Sequence, residues 1–354
     1  MKSRIAPQRG VALIIVLMVV ALVSVLATDM ASRLQLQVQR AMNIKDNNQA
    51  YWYAMGAEQF ARKSIDLLMQ ESREKIALDQ PWTQEFMYPV EGGTISATLE
   101  DMQSCFNLNA ILDAGSTNGT RDAEDTTNAE GNGGNRKPKS KRNGSANDVT
   151  PAMEAFHRLL LATEFNISNF AADTVRDSLA DWLDEDDRMR PYGAEDSEYE
   201  SREFPYLAAN GLMYSQSELR LINGVEVKWL NQILPSICVV PGVTELKVNV
   251  NTITEERAPV MAGLTGLSLQ QAKSLISSRP QEGWENVEEF RSEPDIAALS
   301  LTNEQIAWFT VSSEYFMLHT KTRYNKATFK LTSVFHAPEG EMVRVIRREF
   351  GGID

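Results

Sequence analysis

The sequence predicts an α+β protein in which a long N-terminal helix packs on an antiparallel sheet, the sheet being interrupted by a large all-α inserted domain. Three observations carry this. From Val11 to Gln80 there is no proline and only one glycine, Gly56, so a single long helix is expected. Alternating strand patterns occur before residue 103 and after residue 310. Roughly 200 residues lie between them, too many for a loop, and their periodicity is helical.

Residues 1–10 form a basic leader, with Lys2, Arg4 and Arg9, that ends in Gly10. The uncharged run from Val11 to Ala27 follows; at about 17 residues and about 25 Å it sits at the lower edge of what crosses a bilayer core. A secretory signal places its small cleavage residue after the apolar core, whereas Gly10 precedes it, so removal of the leader leaves the apolar helix on the mature chain. By the positive-inside rule the leader cations stay in the cytoplasm, and everything after Ala27 faces the far side of the membrane, which in a bacterium is the periplasm. Leu34, Val38, Ala41, Ala50, Tyr53, Ala57, Phe60 and Ala61 continue a helical apolar stripe. Residues 11–80 therefore predict a rod of about 100 Å, bent or interrupted near Gly56.

Residues 81–108 begin the sheet domain. Glu91-Gly92-Gly93 is a turn, and Thr94 to Met102 alternates as a strand with Ile95, Ala97 and Leu99 on one face. Residues 311–354 complete it with strands at Tyr315 to His319, Lys326 to His336 and Glu341 to Phe350, the last two joined by the turn Ala337-Pro338-Glu339-Gly340.

The insert covers residues 109–310. Its segment 115–148 is nearly free of large apolar residues and predicts a disordered loop, with a basic knot at Arg136, Lys137, Lys139, Lys141 and Arg142 that reads as solvated charge, the alternative being recognition of an acidic partner. Helices are expected at 152–161, 171–183, 215–222, 227–233, 268–279, 287–293 and 303–309. Phe106-Asn107-Leu108-Asn109-Ala110-Ile111 is echoed by Val248-Asn249-Val250-Asn251-Thr252-Ile253, and each precedes a helical block. Alternate asparagines suit a strand-to-helix transition, where their amides hydrogen-bond local backbone.

The formal net charge of −13 argues against nucleic acid as a ligand and leaves carboxylates available for cations. The densest polar cluster is Asp181, Asp184, Glu185, Asp186 and Asp187, followed by Glu195, Asp196, Glu198 and Glu200, with Trp182, Leu183 and Tyr199 tying it to a core. Crowded carboxylates repel unless neutralised, and a hard cation with six to eight oxygen ligands does so; calcium tolerates such irregular geometry. The candidate metal ligands are Asp181, Asp184, Asp186, Asp187, Glu195, Asp196, Glu198 and Glu200, the alternative being a solvated acidic face. The glycine and terminal glutamate of an EF-hand are not at the required offsets.

Two cysteines, Cys105 and Cys238, read in an oxidising compartment as one disulfide, with two unconnected buried thiols as the alternative. Leu264-Thr265-Gly266-Leu267-Ser268 with Ala272, Leu275, Ile276 and Arg279 resembles a helix-hairpin-helix, but Glu255, Glu256, Glu282, Glu285, Glu288 and Glu289 surround it and would repel phosphate, so packing is the expected role. His157, His319 and His336 are scattered, no hydrolase, phosphate-loop, zincin or dinucleotide motif is present, and no enzymatic activity is expected.

The leader and its apolar helix resemble the signal of type IV pilins and type II secretion pseudopilins. With the DSLADWLDEDD segment from Asp177, the GAEDSEY segment from Gly193, and the VNVNTI and LTGLS segments, nearly the whole chain resembles the K-type minor pseudopilin of type II secretion systems. That resemblance implies a pilin-like fold carrying an α-domain with calcium. It implies cleavage by prepilin peptidase at Gly10 and N-methylation of Val11. It implies an inner-membrane, single-pass start beside an assembly platform, and a place at the pseudopilus tip with I-type and J-type minor pseudopilins, supporting protein export across the outer membrane. Most pilins carry a glutamate at the fifth mature position, paired with the amine of the subunit ahead; here it is Ile15, as suits a filament cap with no neighbour above. The rival reading is a competence or adhesion minor pilin that binds DNA through the hairpin.

Overall fold

A computed structural model describes residues 11–112 and 149–351. Its first element, α1, runs Val11–Ser72 without a break at Gly56, so the expected interruption there is absent. It ends at Ser72 rather than near residue 80, because Ile76 leaves the helix and its N–H donates to the Val311 carbonyl. Ala50, Ala54, Ala57, Ala61, Ile65 and Met69 recur every three to four residues and are buried, so mostly small side chains let the helix approach the sheet closely. Leu34, Val38 and Phe60, expected on the same stripe, are exposed.

The sheet contains β1 (Phe86–Val90), β2 (Gly93–Asp101), β7 (Tyr315–Tyr324), β8 (Ala327–His336) and β9 (Arg344–Phe350), in the order β1-β2-β7-β8-β9, antiparallel throughout. β1 escapes the sequence pattern because Pro89 discourages a strand assignment, yet an edge strand tolerates proline. β7 runs on to Tyr324, beyond the expected end at His319, since Thr320 and Thr322 keep the inward alternation while Lys321 and Arg323 face out. Phe316, Leu318 and Phe335 meet Ile65 and Met69 beneath α1. Glu58 of α1 is fully buried there; both its oxygens accept from the Arg348 guanidinium, at 2.6 and 2.9 Å, and Oε2 also accepts from Ser333. These bonds to Arg348 and Ser333 hold the Glu58 carboxyl below its ordinary range against the opposing effect of burial.

The insert enters through β3 (Phe106–Asn107) and continues as α2 (Pro151–Leu160), α3 (Asn169–Leu183), α4 (Asp196–Glu200), α5 (Val227–Ile233) and β4 (Ile237–Cys238). β5 (Val248–Asn249) then leads to α6 (Ala258–Thr265), α7 (Leu269–Ser278), α8 (Val287–Ser292), α9 (Pro294–Ala297), α10 (Asn303–Ala307) and β6 (Phe309–Thr310). The stretch 216–221 is a 3-10 helix rather than an α-helix. Among the described residues of the insert, helices and irregular connections are joined by two two-residue parallel pairings, β3 with β4 and β5 with β6.

Each pairing is built on one copy of the asparagine echo. Asn107 Oδ1 accepts from the N–H of Asn109, and Asn109 clamps Met213 by accepting its N–H and donating to its carbonyl. Asn249 Oδ1 likewise accepts from the N–H of Asn251, and Asn251 clamps the N–H and carbonyl of Trp284 in the same way. Gly283 sits at φ +76, and a Cβ there would stand 2.6 Å from Asn251 Cγ, so glycine is required both by conformation and by close approach. Around both ladders one continuous core runs from Phe106 to Val311, with Phe156, Trp229, Trp284 and Phe290 at its centre.

Cys105 and Cys238 form a disulfide with Cα atoms 5.8 Å apart, joining the first ladder across 133 residues. The second ladder joins the insert to the sheet. Asp101, at the end of β2, accepts from Thr252, Ser313, Asn249 and the N–H of Gln103, while burial pushes its carboxyl up to about 6. Residues 1–10, with the expected cleavage residue Gly10, and the loop 115–148 lie outside the described residues.

Candidate functional site

Two features stand out from an ordinary globular protein. The first is the free half of α1. From Ala12 to Ile44 its apolar side chains are exposed, and among the described residues it is the one helix long and apolar enough to cross a membrane. Its hydroxyls need no outside partner: Ser24 and Thr28 donate to the carbonyls of Val20 and Ser24, four residues back. Asp29 pairs with Arg33, one turn on, where the uncharged run has ended. Ile15 is exposed on this half.

The second is the acidic segment after α3. Ser168 caps α3 by accepting from the Ala171 N–H, and Ala172, Val175, Leu179, Trp182 and Leu183 bury its inner side. Asp177, Asp181 and Asp184 follow at spacings of four and three and so share a face. The loop that follows folds back onto that face. The N–H of Arg190 donates to Asp181 Oδ2 at 3.1 Å and the N–H of Tyr192 to Asp177 Oδ2 at 3.2 Å, while Asp177 Oδ1 accepts from Arg176. Gly193 packs so closely that a Cβ there would stand 1.8 Å from Asp181 Oδ2. Tyr199 and Trp182 meet edge to face at 5.3 Å, closing the site on its core side.

The site is short of positive charge. The Arg190 guanidinium lies 3.2 Å from Asp184 Oδ2 and 3.5 Å from Asp181 Oδ1. Glu195 is 4% exposed, and neither of its oxygens has a hydrogen-bond partner; Asp181 Oδ1 and Asp184 Oδ1 are also buried without one. Burial, aided by the neighbouring carboxylates, pushes Asp181 up to about 7, Asp184 to about 6 and Glu195 to about 8. Arg190 works in the opposite direction at both aspartates.

Of the eight acids expected to ligate a metal, the structure brings Asp181, Asp184 and Glu195 into one buried neighbourhood, with Asp187 and Asp196 near enough to raise Glu195. Asp186 turns away to pair with Arg188, Asp196 accepts from the N–H of Ala208, and Glu198 and Glu200 are exposed. Among the described residues no three such side chains stand together at metal-ligating distances. The donors present are all oxygens, the set a hard cation prefers, and their buried orphaned atoms fit one. Asp177 and Gly193 open segments that the sequence singles out, but neither they nor Arg190 are among the site residues it predicts. Asp177 was legible from its spacing to Asp181; the other two act through a fold-back that no local pattern announces.

The hairpin is α6 and α7 joined at Gly266. Every residue of α6 is buried, largely against α2, and α7 begins with a capping box of Ser268 and Gln271, so the motif packs. His319 and His336 lie on strands beside Glu100 and Glu314.

Two family models, both described as Type II secretion system (T2SS), protein K, match residues 104–242 and 248–312. The chain belongs to the type II secretion system protein K family. The two matches begin beside the two asparagine ladders, so the repeat seen in hydrogen bonding also marks the family's own division. Type II secretion system protein K of Aeromonas hydrophila is 31% identical over 98% of both chains, and that of Klebsiella pneumoniae is 33% identical over 97% of both. Among solved structures, a chain of the crystal structure of the GspK-GspI-GspJ complex from enterotoxigenic Escherichia coli superposes with a TM-score of 0.72 at 25% identity, over 89% of this chain and 100% of that one.

Proposed function

We propose that this protein K is the minor pseudopilin that initiates and caps the type II secretion pseudopilus, in company with I-type and J-type minor pseudopilins. The observation that carries the reading is a bare apolar half-helix continuous with a head that superposes on a member of the GspK-GspI-GspJ complex. An apolar rod serves two solvents in turn: lipid while the subunit waits in the inner membrane, and the apolar rods of other subunits once assembled. Prepilin peptidase cuts after Gly10, Val11 becomes the methylated N-terminus, and an assembly platform in the inner membrane draws the subunit out. Ile15 in place of a charged residue removes the need for a partner above, and the bulk of the insert blocks addition there. The filament below then supports export of folded proteins across the outer membrane.

Co-expression of the full chain with prepilin peptidase and I- and J-type partners tests this. A ternary complex should co-purify, with this chain lacking residues 1–10 and carrying one methyl group. An intact leader, or a monomer that ignores both partners, overturns it.

The acidic site is proposed to hold calcium, with Asp181, Asp184 and Glu195 as inner ligands and Asp187 and Asp196 close by. What supports this is the orphaned, buried carboxylate oxygens. Calcium supplies the positive charge that the three acids lack, and bound only to the folded state it raises stability by mass action. The Tm should rise on adding calcium and fall with chelator; a Tm indifferent to both rejects the site.

A further inference from the structure

Arg190 stands among the acids that the calcium reading assigns to the metal. Its guanidinium spans Asp184 and Asp181, at 3.2 and 3.5 Å, with its side chain 11% exposed. We propose that Arg190 is a resident competitor for the divalent cation: its guanidinium holds Asp181 and Asp184 until the metal displaces it, so the site exchanges one counter-ion for another. The proposal rests on the calcium reading given above.

Three observations carry it. Arg190 covers oxygens of two carboxylates but leaves both oxygens of Glu195, itself more than nine-tenths buried, without a partner. One positive charge thus faces three buried acids, and a divalent ion delivers twice the charge to the same face. Secondly, the exchange needs no refolding of the loop. Its backbone is fixed independently of the guanidinium, by the bonds from Arg190 N–H to Asp181 and from Tyr192 N–H to Asp177, and by the close seat of Gly193 on Asp181. Only the side chain has to turn. Thirdly, the way out is short, because Met189 and Pro191 on either side are exposed. An arginine cannot vacate the site by losing its proton, so metal and guanidinium are true alternatives.

Calcium titration by calorimetry on the detergent-solubilised full chain, with Tm measured in chelator, tests the exchange. Arg190→Gln should bind calcium at least about tenfold more tightly than wild type, the ratio expected from removing one partly buried ion pair, while its Tm in chelator falls below that of wild type. Excess calcium should close the gap between the two Tm values, because the guanidinium pairing is absent from the metal-bound state of both. Should Arg190→Gln fail to fold without metal, Arg190→Lys carries the test, since a point charge cannot span both carboxylates and calcium should again bind more tightly, by a smaller factor. A wild type that binds calcium while both variants bind it no better overturns the exchange and leaves the calcium site standing. If neither wild type nor variant binds calcium, the site and the exchange fall together.

Discussion

The two halves of the insert open on the same device and use it differently. In each, a short parallel pairing ends on one asparagine and a second stands two residues on, the first bonding to the N–H of the second and the second clamping a distant backbone amide, of Met213 in one and Trp284 in the other. In the first half the asparagine amides bond locally, Asn107 to the Val243 carbonyl and Asn109 to those of Met213 and Val240, and this half carries the disulfide and the acidic site. The second half directs them to the sheet, where Asn249 also donates to the Ile76 carbonyl and, with Ser313, to Asp101. A repeated local motif has thus become a staple in one copy and a hinge pin in the other. Its surroundings, not its hydrogen bonds, set the role.

The sharpest way to break the comparison is at the disulfide. Closing a loop of 133 residues restricts the unfolded chain heavily, and paired Cys105→Ala and Cys238→Ala substitutions should cost about 3–5 kcal/mol in a denaturant titration. Hydrogen exchange should rise mainly in residues 149–240, and equal loss of protection across both halves would erase the distinction.

Next come the clamps. Asn251→Ala leaves the Trp284 amide and carbonyl buried without partners and should cost about 1–3 kcal/mol, and Asn109→Ala about as much at Met213. Their effects should diverge in kind: loosening the second ladder also frees the sheet joint at Asp101, so Asn251→Ala should increase exchange in β7, and Asn109→Ala should not.

The smallest effect is in pH. Acids whose folded values are raised hold protons that the unfolded chain releases. In chelator, the contribution of these acids to stability should therefore fall as pH rises from about 4 to about 8, the span between ordinary carboxylates and Glu195. The part of the slope above about 6 belongs to the first half, and Glu195→Gln should flatten it; Asp101→Asn should flatten only the lower part, since Asp101 is raised to about 6. Calcium should weaken the whole upper slope. If the slope above 6 survives Glu195→Gln unchanged, the acidic site does not titrate as described.

Much of this was legible from residues alone. The rod from Val11, the interrupted sheet, the helical insert and the asparagine echo all follow from local periodicity and from breakers, which one strand or helix suffices to display. What was not legible depends on contacts across the chain. The end of α1 at Ser72 depends on Val311, 235 or so residues later, and β1 is a strand because an edge can absorb Pro89. The acidic run announced a charge problem but not its geometry. Of its residues only Asp181, Asp184 and Glu195 turn inward together, and Arg190 enters among them from a loop whose path is set by Asp177 and Gly193.

The unbroken course of α1 has a mechanical consequence. Its 62 residues form one hydrogen-bonded column of about 93 Å with no proline and no interruption at Gly56. Such a column has little slack in the axial direction. A shift of its apolar end by one residue, about 1.5 Å, arrives at Glu58 and so at the Arg348 clamp on the last strand nearly undiminished. An axial push on the apolar half of α1 is therefore delivered to the head as a whole, with the insert riding on the thrust.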